Sequence, residues 1–519
     1  MSRISSANIP AAESADQEGR KRLRRFAYGL MICVCLGGAL GRILAVDAVD
    51  RLALQDFRLR KVAEDLQQKR AELRARGLPE REVEEELARL EARWKPRAQL
   101  RRPFLSANDR SRWCTVRALV EPEMRVAGAP YAIDKVIAEP NWNTIDMVYH
   151  DGHLYSSKPP LQATIMAAVY WPIYHFTGLS LGTHPYEIGR FMLVLFNLLP
   201  LGVYFVLLAA LAERFGESDW GRLFVVAAGT FGTFLTTFVV AINNHLPAAV
   251  CSLAAIYAVV RVWFDERRDM RYFITAGLFG GLAAALEPPA LALLAAVCLA
   301  LLVKAPRPTL LGALPCAVVV AAAFFATNWI AHRTLTPPYA HRSGAENWYD
   351  YTYQRDGRTV ESYWRNPKGL DRGEPSRGVY AFNLLLGHHG LFSLTPVWLL
   401  SILGAVLWLC QRKEPRLRWV AAAAAAISTA CILFYIMQPT MNRTYGGMTC
   451  GPRWFFWLAA LWLPTMLPAA DLLARRRWAR AIGLLFLAWS ALSAAYPTWN
   501  PWMHPWLMNF AEYLGLLQS

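Results

Sequence analysis

Long apolar runs alternate with short polar connections along most of this chain, and that alternation predicts helices that cross a membrane. The runs fall at 26–46, 161–177, 188–211, 221–241, 246–263, 272–287, 289–303, 308–331, 391–410, 418–437, 454–471 and 479–496. Most reach or approach the roughly 18–20 residues that a bilayer core requires. A helix satisfies its own backbone hydrogen bonds, which lipid cannot do for it. The pattern therefore predicts an all-α, polytopic transmembrane bundle of about twelve spans.

The polar stretches divide the rest. Residues 1–25 form a polar arm ending in the basic cluster GRKRLRR at 19–25, ahead of the first span at 26–46. Residues 50–98 are dense in Ala, Leu, Glu, Arg and Gln, all good helix formers. Leu52, Phe57, Val62, Leu66 and Leu73, then Val83, Leu87 and Leu90, recur at helical spacing around a Gly77-Leu78-Pro79 break. This predicts an amphipathic αα-hairpin insertion whose apolar stripe packs on itself. Residues 99–160 follow as a polar loop. A bundle covers 161–331, a second polar loop 332–388, and more spans 389–496 with a short loop at 438–453. An aromatic tail occupies 497–519.

Composition fixes the class. Hydrophobic residues make up 55% of the 519, charged ones only 18%, and there are twenty tryptophans. The net charge of +16 then belongs to cytoplasmic loops rather than to a nucleic-acid interface, because positive residues collect on the cytoplasmic side of spans. The basic cluster at 19–25 and the connections 261–271, 411–418 and 475–480 are placed there. Segments 50–160, 332–388 and 438–453 fall on the outer side. A cleaved signal peptide is the alternative reading of the first run. Crossings counted between 161 and 260 come out one short, so a segment there is expected to be broken. Asn243-Asn244-His245 with Pro247 is the predicted place, since unwound backbone needs polar partners at membrane depth. The nine cysteines lie mostly in apolar runs with no CxxC pair and read as small buried hydrophobes.

Residues 105–160 carry the chemistry. They run from LSANDRSRWCTVRALVEPEM to YHDGHLYSSKPPL, and read as the floor of a site with Asp109 and Lys158 at its ends. NDRSRW, then YSSKPPL opening a span, then YGGMTCGPRW before a late span, together resemble the GT-C superfamily of polytopic glycosyltransferases. The likeness is to its bacterial branch of protein mannosyltransferase-like and aminoarabinose-transferase-like enzymes, and it covers nearly the whole chain. The 50–98 hairpin departs from that pattern, and Asn108-Asp109 stands where an acidic residue is expected.

The resemblance implies a GT-C bundle with outer-face loops and juxtamembrane helices in a bacterial inner membrane, with its site on the periplasmic side. It implies inverting transfer of a sugar from a polyprenyl-phosphate donor to a hydroxyl or amine of a lipid, protein or glycan acceptor. A positioned carboxylate must take the acceptor's proton; Asp109 is the candidate, with helix capping as its structural alternative. Asp134, Asp146 and Asp151 are weaker alternatives for that base and read first as turn or loop acids. The departing phosphate needs fixed cations. Lys158 suits this, since the two prolines after it disfavour helix at Lys158 and start the span just beyond. Arg453 follows glycines that allow close approach, and a guanidinium can grip two phosphate oxygens. Arg112 either reaches phosphate or faces Asp109. His153, Tyr155, His388, His389 and Tyr445 are assigned to the substrate pocket. Trp348, Tyr349, Tyr351, Tyr353, Tyr363 and Trp364 read first as an interfacial belt. No cofactor is called for; a divalent ion shared by Asp109 and His153 is the open alternative.

Two other classes compete. A transporter or flippase predicts ionisable groups at mid-membrane and an internal repeat; His245, Glu287 and Asn328 are the few such groups, and no repeat is evident. A scaffold would use the 50–98 hairpin for binding.

Overall fold

The computed structural model of the protein describes residues 9–343, 346–355 and 358–516, so the first eight residues of the expected arm lie outside it. Among the described residues the fold is all-α apart from two short antiparallel hairpins. Among the described residues, seven helices are long and apolar enough to cross a membrane: Gln17–Leu44, Pro185–Phe215, His245–Trp263, Pro306–His332, Pro415–Ile436, Arg453–Leu473 and Arg477–Ala495. Met270–Leu286, Pro288–Lys304 and Val397–Cys410 are apolar but shorter. The basic cluster at 19–25 is helical, part of a continuous helix Ile9–Leu44.

The chain clusters into two compact units. One comprises residues up to Ala45, 191–326 and 366–519; the other 46–190 and 327–365.

In the first unit, His245–Trp263 packs on Met270–Leu286, and Val397–Cys410 packs on the helix Ala459–Leu473. Gly277 and Gly404 permit close approach: a Cβ there would stand 1.9 Å from the carbonyl oxygens of Ala313 and Thr465. The apolar run at 221–241 does not form one span. Its helix stops at Phe231, and the chain resumes a long helix only at His245. The expected break is therefore longer than the Asn-Asn-His signal alone suggested. Side chains satisfy the unwound backbone. Asn197 Nδ2 donates to the carbonyls of Val239 (2.9 Å) and Ala241 (3.0 Å), and Arg42 donates to those of Thr236 and Thr237. Thr237 in turn donates to the Ala494 carbonyl. Such partners are what allow non-helical backbone inside an apolar bundle.

In the second unit, helices Leu52–Ala75 and Glu80–Ala98 fold back on each other. Leu73, Val83 and Leu87 are buried between them, with Leu66 and Leu78 against that seam. Helix Ala107–Val120 is buried on nearly every face. Strands Met147–His150 and His153–Ser156 pair antiparallel around Asp151-Gly152, both at positive φ, the conformation that a two-residue hairpin demands. The chain then enters helix Pro160–Thr177. A second hairpin joins Thr352–Arg355 to Arg358–Glu361.

The loop aromatics divide in a way that the belt reading missed. Trp348, Tyr349 and Tyr351 are buried, the first two in a core with Tyr131, Val148 and Tyr155. Trp348 is stacked between His150 (4.0 Å) and His341 (3.9 Å), and its carbonyl accepts from Tyr149 N. Backbone pairing to the first hairpin draws these rings inward.

Leu87→Ala should remove about 2–4 kcal/mol of local stability from the αα-hairpin. Hydrogen exchange should speed up across 52–98 while Ala107–Val120 stays protected. Equal acceleration in both would show that the hairpin does not open by itself.

Candidate active site

Helix Ala107–Val120 starts at Ser106, whose extended backbone and side chain cap it: Ser106 Oγ accepts from Asp109 N at 3.0 Å. Asp109 is thus the third residue of the helix and not its cap. Its carboxylate is 1% exposed and accepts from the Trp113 indole at 2.9 Å; Trp113 stacks on Phe104.

Arg112, one turn on, donates to Asn108 Oδ1 (2.7 Å) and Gln162 Oε1 (3.2 Å). Further along, Arg117 is held between Glu121 (2.8 Å) and Glu139 (2.6 Å) and lies over the Trp142 ring. Glu121 also accepts from Tyr170 OH and Leu181 N. That network ties the helix into the unit and leaves nothing of Arg117 for a ligand.

The first hairpin delivers Lys158. Met147 pairs with Ser156, and one step further Ser157 N donates to the Asp146 carbonyl. Asp146 therefore stands beside Ser157 and Lys158. Lys158 Nζ meets both carboxylate oxygens of Asp146, at 2.9 and 2.7 Å, and Ser157 Oγ donates to the same group. Burial alone would raise the Asp146 pKa; the Lys158 ammonium, the Ser157 hydroxyl and the Arg112 charge more than offset it, and the carboxyl is held below its ordinary value. Ser111 Oγ donates to the Asp146 carbonyl and meets Ser156 Oγ at 2.6 Å, which locks the hairpin to the helix.

Arg112, Lys158, Tyr131, Tyr155, Ser156 and His332 converge on a narrow cleft with free space for about one water. The Tyr155 ring packs edge-on against His332 at 4.8 Å, and burial pushes its hydroxyl up to about 12. His332 is 3% exposed, and its Nδ1 has no hydrogen-bond partner. Of the residues expected here, Arg112, Lys158 and Tyr155 line the cleft. Asp109 does not, and His153 faces Asp134 instead, at 3.3 Å.

Arg453, His388, His389 and Tyr445 belong to the other unit. The turn Tyr445-Gly446-Gly447 runs at positive φ throughout, and Gly446 turns its carbonyl to Arg453 Nη2 at 2.8 Å. Arg453 Nη1 donates to His245 Nε2, also at 2.8 Å, and its guanidinium lies over Trp502. The other nitrogen of His245 contacts Glu287, which also accepts from Asn244. This is the pattern of an imidazole protonated on Nδ1. His389 stacks on Tyr445 at 5.0 Å and contacts His388. No three His, Cys, Asp or Glu side chains converge as metal ligands among the described residues.

Asp146, His332, His245 and Glu287 acquire weight here: the sequence reading kept Asp146 only as a weaker alternative base, took His245 and Glu287 as isolated mid-membrane groups, and gave His332 no role. The first was legible. Asp-Gly is a strong two-residue hairpin signal, and counting outward from it sets 146 opposite 157.

A family model described as Glycosyltransferase family 87 matches residues 168–437. No curated protein and no solved structure matches the chain.

Burial, and then the charge of His504, hold His388 at about 4, against an ordinary 6.5. His389 is driven well below its ordinary value by the same burial and by its two histidine neighbours. Both pKa values are lowered in the fold, so the unfolded chain takes up protons first. Their contribution to stability is complete above pH 6.5 and is lost as pH falls towards 4. Melting temperature should drop across that window, and less steeply in His388→Gln. Parallel curves would count against buried, neutral histidines at this place.

Proposed function

The chain belongs to glycosyltransferase family 87, a family of polytopic membrane glycosyltransferases of the GT-C type, and we propose that it moves a sugar, with inversion, from a polyprenyl-phosphate donor to an acceptor hydroxyl or amine. The reaction is placed on the outer face of a bacterial inner membrane. The basic connections support that side, because they collect on the cytoplasmic face of spans.

The observation that carries the reading is the convergence of Lys158 and Arg112 on one cleft. Cleaving a sugar–phosphate bond releases an anion that needs fixed positive charge and no proton. A lysine and an arginine on two stiff elements, helix Ala107–Val120 and the proline-braced start of Pro160–Thr177, provide it. Asp146 holds the ammonium in place beforehand. An arriving phosphate then shares Lys158 with a resident carboxylate, so the site is never a bare cation. The unpartnered His332 Nδ1 supplies a neutral hydrogen bond to the phosphate or to a sugar hydroxyl, and Tyr155 walls the sugar.

Transfer is a single displacement. The acceptor oxygen or nitrogen bonds to the anomeric carbon as the bond to phosphate oxygen breaks. The electron pair leaves with the phosphate and the acceptor's proton passes to a carboxylate. Asp109 takes that proton in this reading, since Asp146 is committed through both oxygens to Lys158. Arg453, His388, His389 and Tyr445 lie in the other unit and have no part in this reading of the cleft. One observation favours a different base: Asp146 contacts a cleft-lining residue directly. A phosphate that drew Lys158 away would free it to accept the proton.

With a short-chain polyprenyl-phosphate sugar in detergent, Lys158→Ala should lower kcat/KM for donor by roughly 10²–10³. Asp109→Asn keeps an acceptor for the Trp113 indole and should cut kcat about 10²–10⁴-fold with donor affinity nearly intact. Asp146→Asn should cost about tenfold, read mainly in donor KM. If Asp109→Asn turns over normally while Asp146→Asn is inert, the base is Asp146. Should Lys158→Ala bind and use donor like the parent, the cleft is not the phosphate site.

A further inference from the structure

A second cleft opens in the same unit, away from the residues that line the Lys158 cleft. It is bordered by Arg102, Ser106, Arg110, Asn143 and Thr144, and has about 140 Å³ of free volume, room for several waters or one phosphate-sized group. Arg110 is 2% exposed. Its Nε donates to the Asn143 carbonyl (2.8 Å) and its Nη1 to the Pro103 carbonyl (2.9 Å). It forms no ion pair among the described residues, unlike Arg117 on the same helix.

A guanidinium withdrawn from water and answered only by carbonyl dipoles calls for an anion. Burial, with a further push from Arg102, brings its pKa down to about 10, against small pulls from Asp109 and Asp50. The guanidinium is therefore still charged at neutral pH. Arg102 is satisfied by Asp50, through Nε and Nη2 at 2.8 Å each, and Asp50 also takes Arg58. Asp50 thus serves two guanidinium groups, Arg102 and Arg58, at once.

The geometry points to a second oxyanion site of this protein, one that binds a phosphate group at Arg110 independently of the Lys158 cleft. Arg110 supplies the charge-assisted hydrogen bonds. Ser106 Oγ already accepts from Asp109 N, so its own hydrogen is left to donate. The helix it caps begins beside the cleft, with Ala107 in the lining, so exposed amide dipoles add to the attraction. Phosphate could reach the site as a free ion or on the headgroup of an anionic lipid, and the chemistry of recognition is the same.

The test uses full-length protein carrying Lys158→Ala, which removes the donor cleft as a competitor. Inorganic phosphate is titrated in neutral detergent, and nanodiscs of phosphatidylglycerol are compared with phosphatidylcholine, with thermal stability as the readout. Stabilisation by phosphate in detergent would assign the site to a soluble oxyanion. Stabilisation confined to phosphatidylglycerol would assign it to a headgroup. In whichever arm responds, Arg110→Gln should weaken the half-maximal concentration at least tenfold. Ala107→Leu fills the lining while leaving every charge in place and should do the same; it keeps the test valid if Arg110→Gln fails to fold. The proposal falls if neither ligand stabilises the Lys158→Ala protein, or if the response survives Ala107→Leu undiminished.

Discussion

A helix that is buried on almost every face and yet carries three arginines and an aspartate can exist only if each charge is answered. That constraint governs the unit around Ala107–Val120. Arg117 is answered by two glutamates, and the answer is purely structural: removing Glu121 would strand a guanidinium in the interior. Asp109 is answered at one oxygen by an indole, which stabilises the carboxylate without supplying a positive charge. Arg112 donates to amide oxygens on its own helix and on the next one, and its charge helps to hold Asp146 ionised. Along the helix, carbonyl dipoles answer Arg110 and full carboxylates answer Arg117.

Much of this was written locally in the chain. The two prolines after Lys158 set the start of Pro160–Thr177, because proline is pre-shaped for the first helical position and hostile to helix in the residue before it. The twin-helix insertion follows from apolar spacing around a Gly-Leu-Pro break. Ser106 could have been read as the cap, since it stands three residues ahead of Asp109 in the capping-box pattern, and that reading would have moved Asp109 inside the helix. The Asp-Gly turn likewise held the partnership of Asp146 and Lys158 in plain view.

What the sequence could not show depends on distant pairing. Arg453 and His245 are separated by 208 positions, His245 and Glu287 by 42, and no periodicity links them. Hydropathy also misjudged two segments for the same reason. The run at 221–241 is apolar enough for a span, but its backbone unwinds because Asn197 and Arg42 supply hydrogen bonds from elsewhere. Trp348 and Tyr349 look like belt residues until the strand beside them claims their backbone. An apolar run reports what its side chains tolerate, and tertiary partners decide whether its backbone stays helical.

The two ways in which this protein holds cations bear on how a phosphate could be bound and released. Lys158 sits against a carboxylate; any phosphate that binds it must displace or share that partner, which lowers affinity in return for a charge that is always positioned. Arg453 is treated differently. It donates to an imidazole nitrogen and a carbonyl and lies over an aromatic face, and the carboxylate of Glu287 contacts the other nitrogen of that imidazole. The imidazole acts as a spacer: it orients the guanidinium while keeping the anion one ring away. At Lys158 the resident carboxylate of Asp146 would take the ammonium back when a phosphate bound there left.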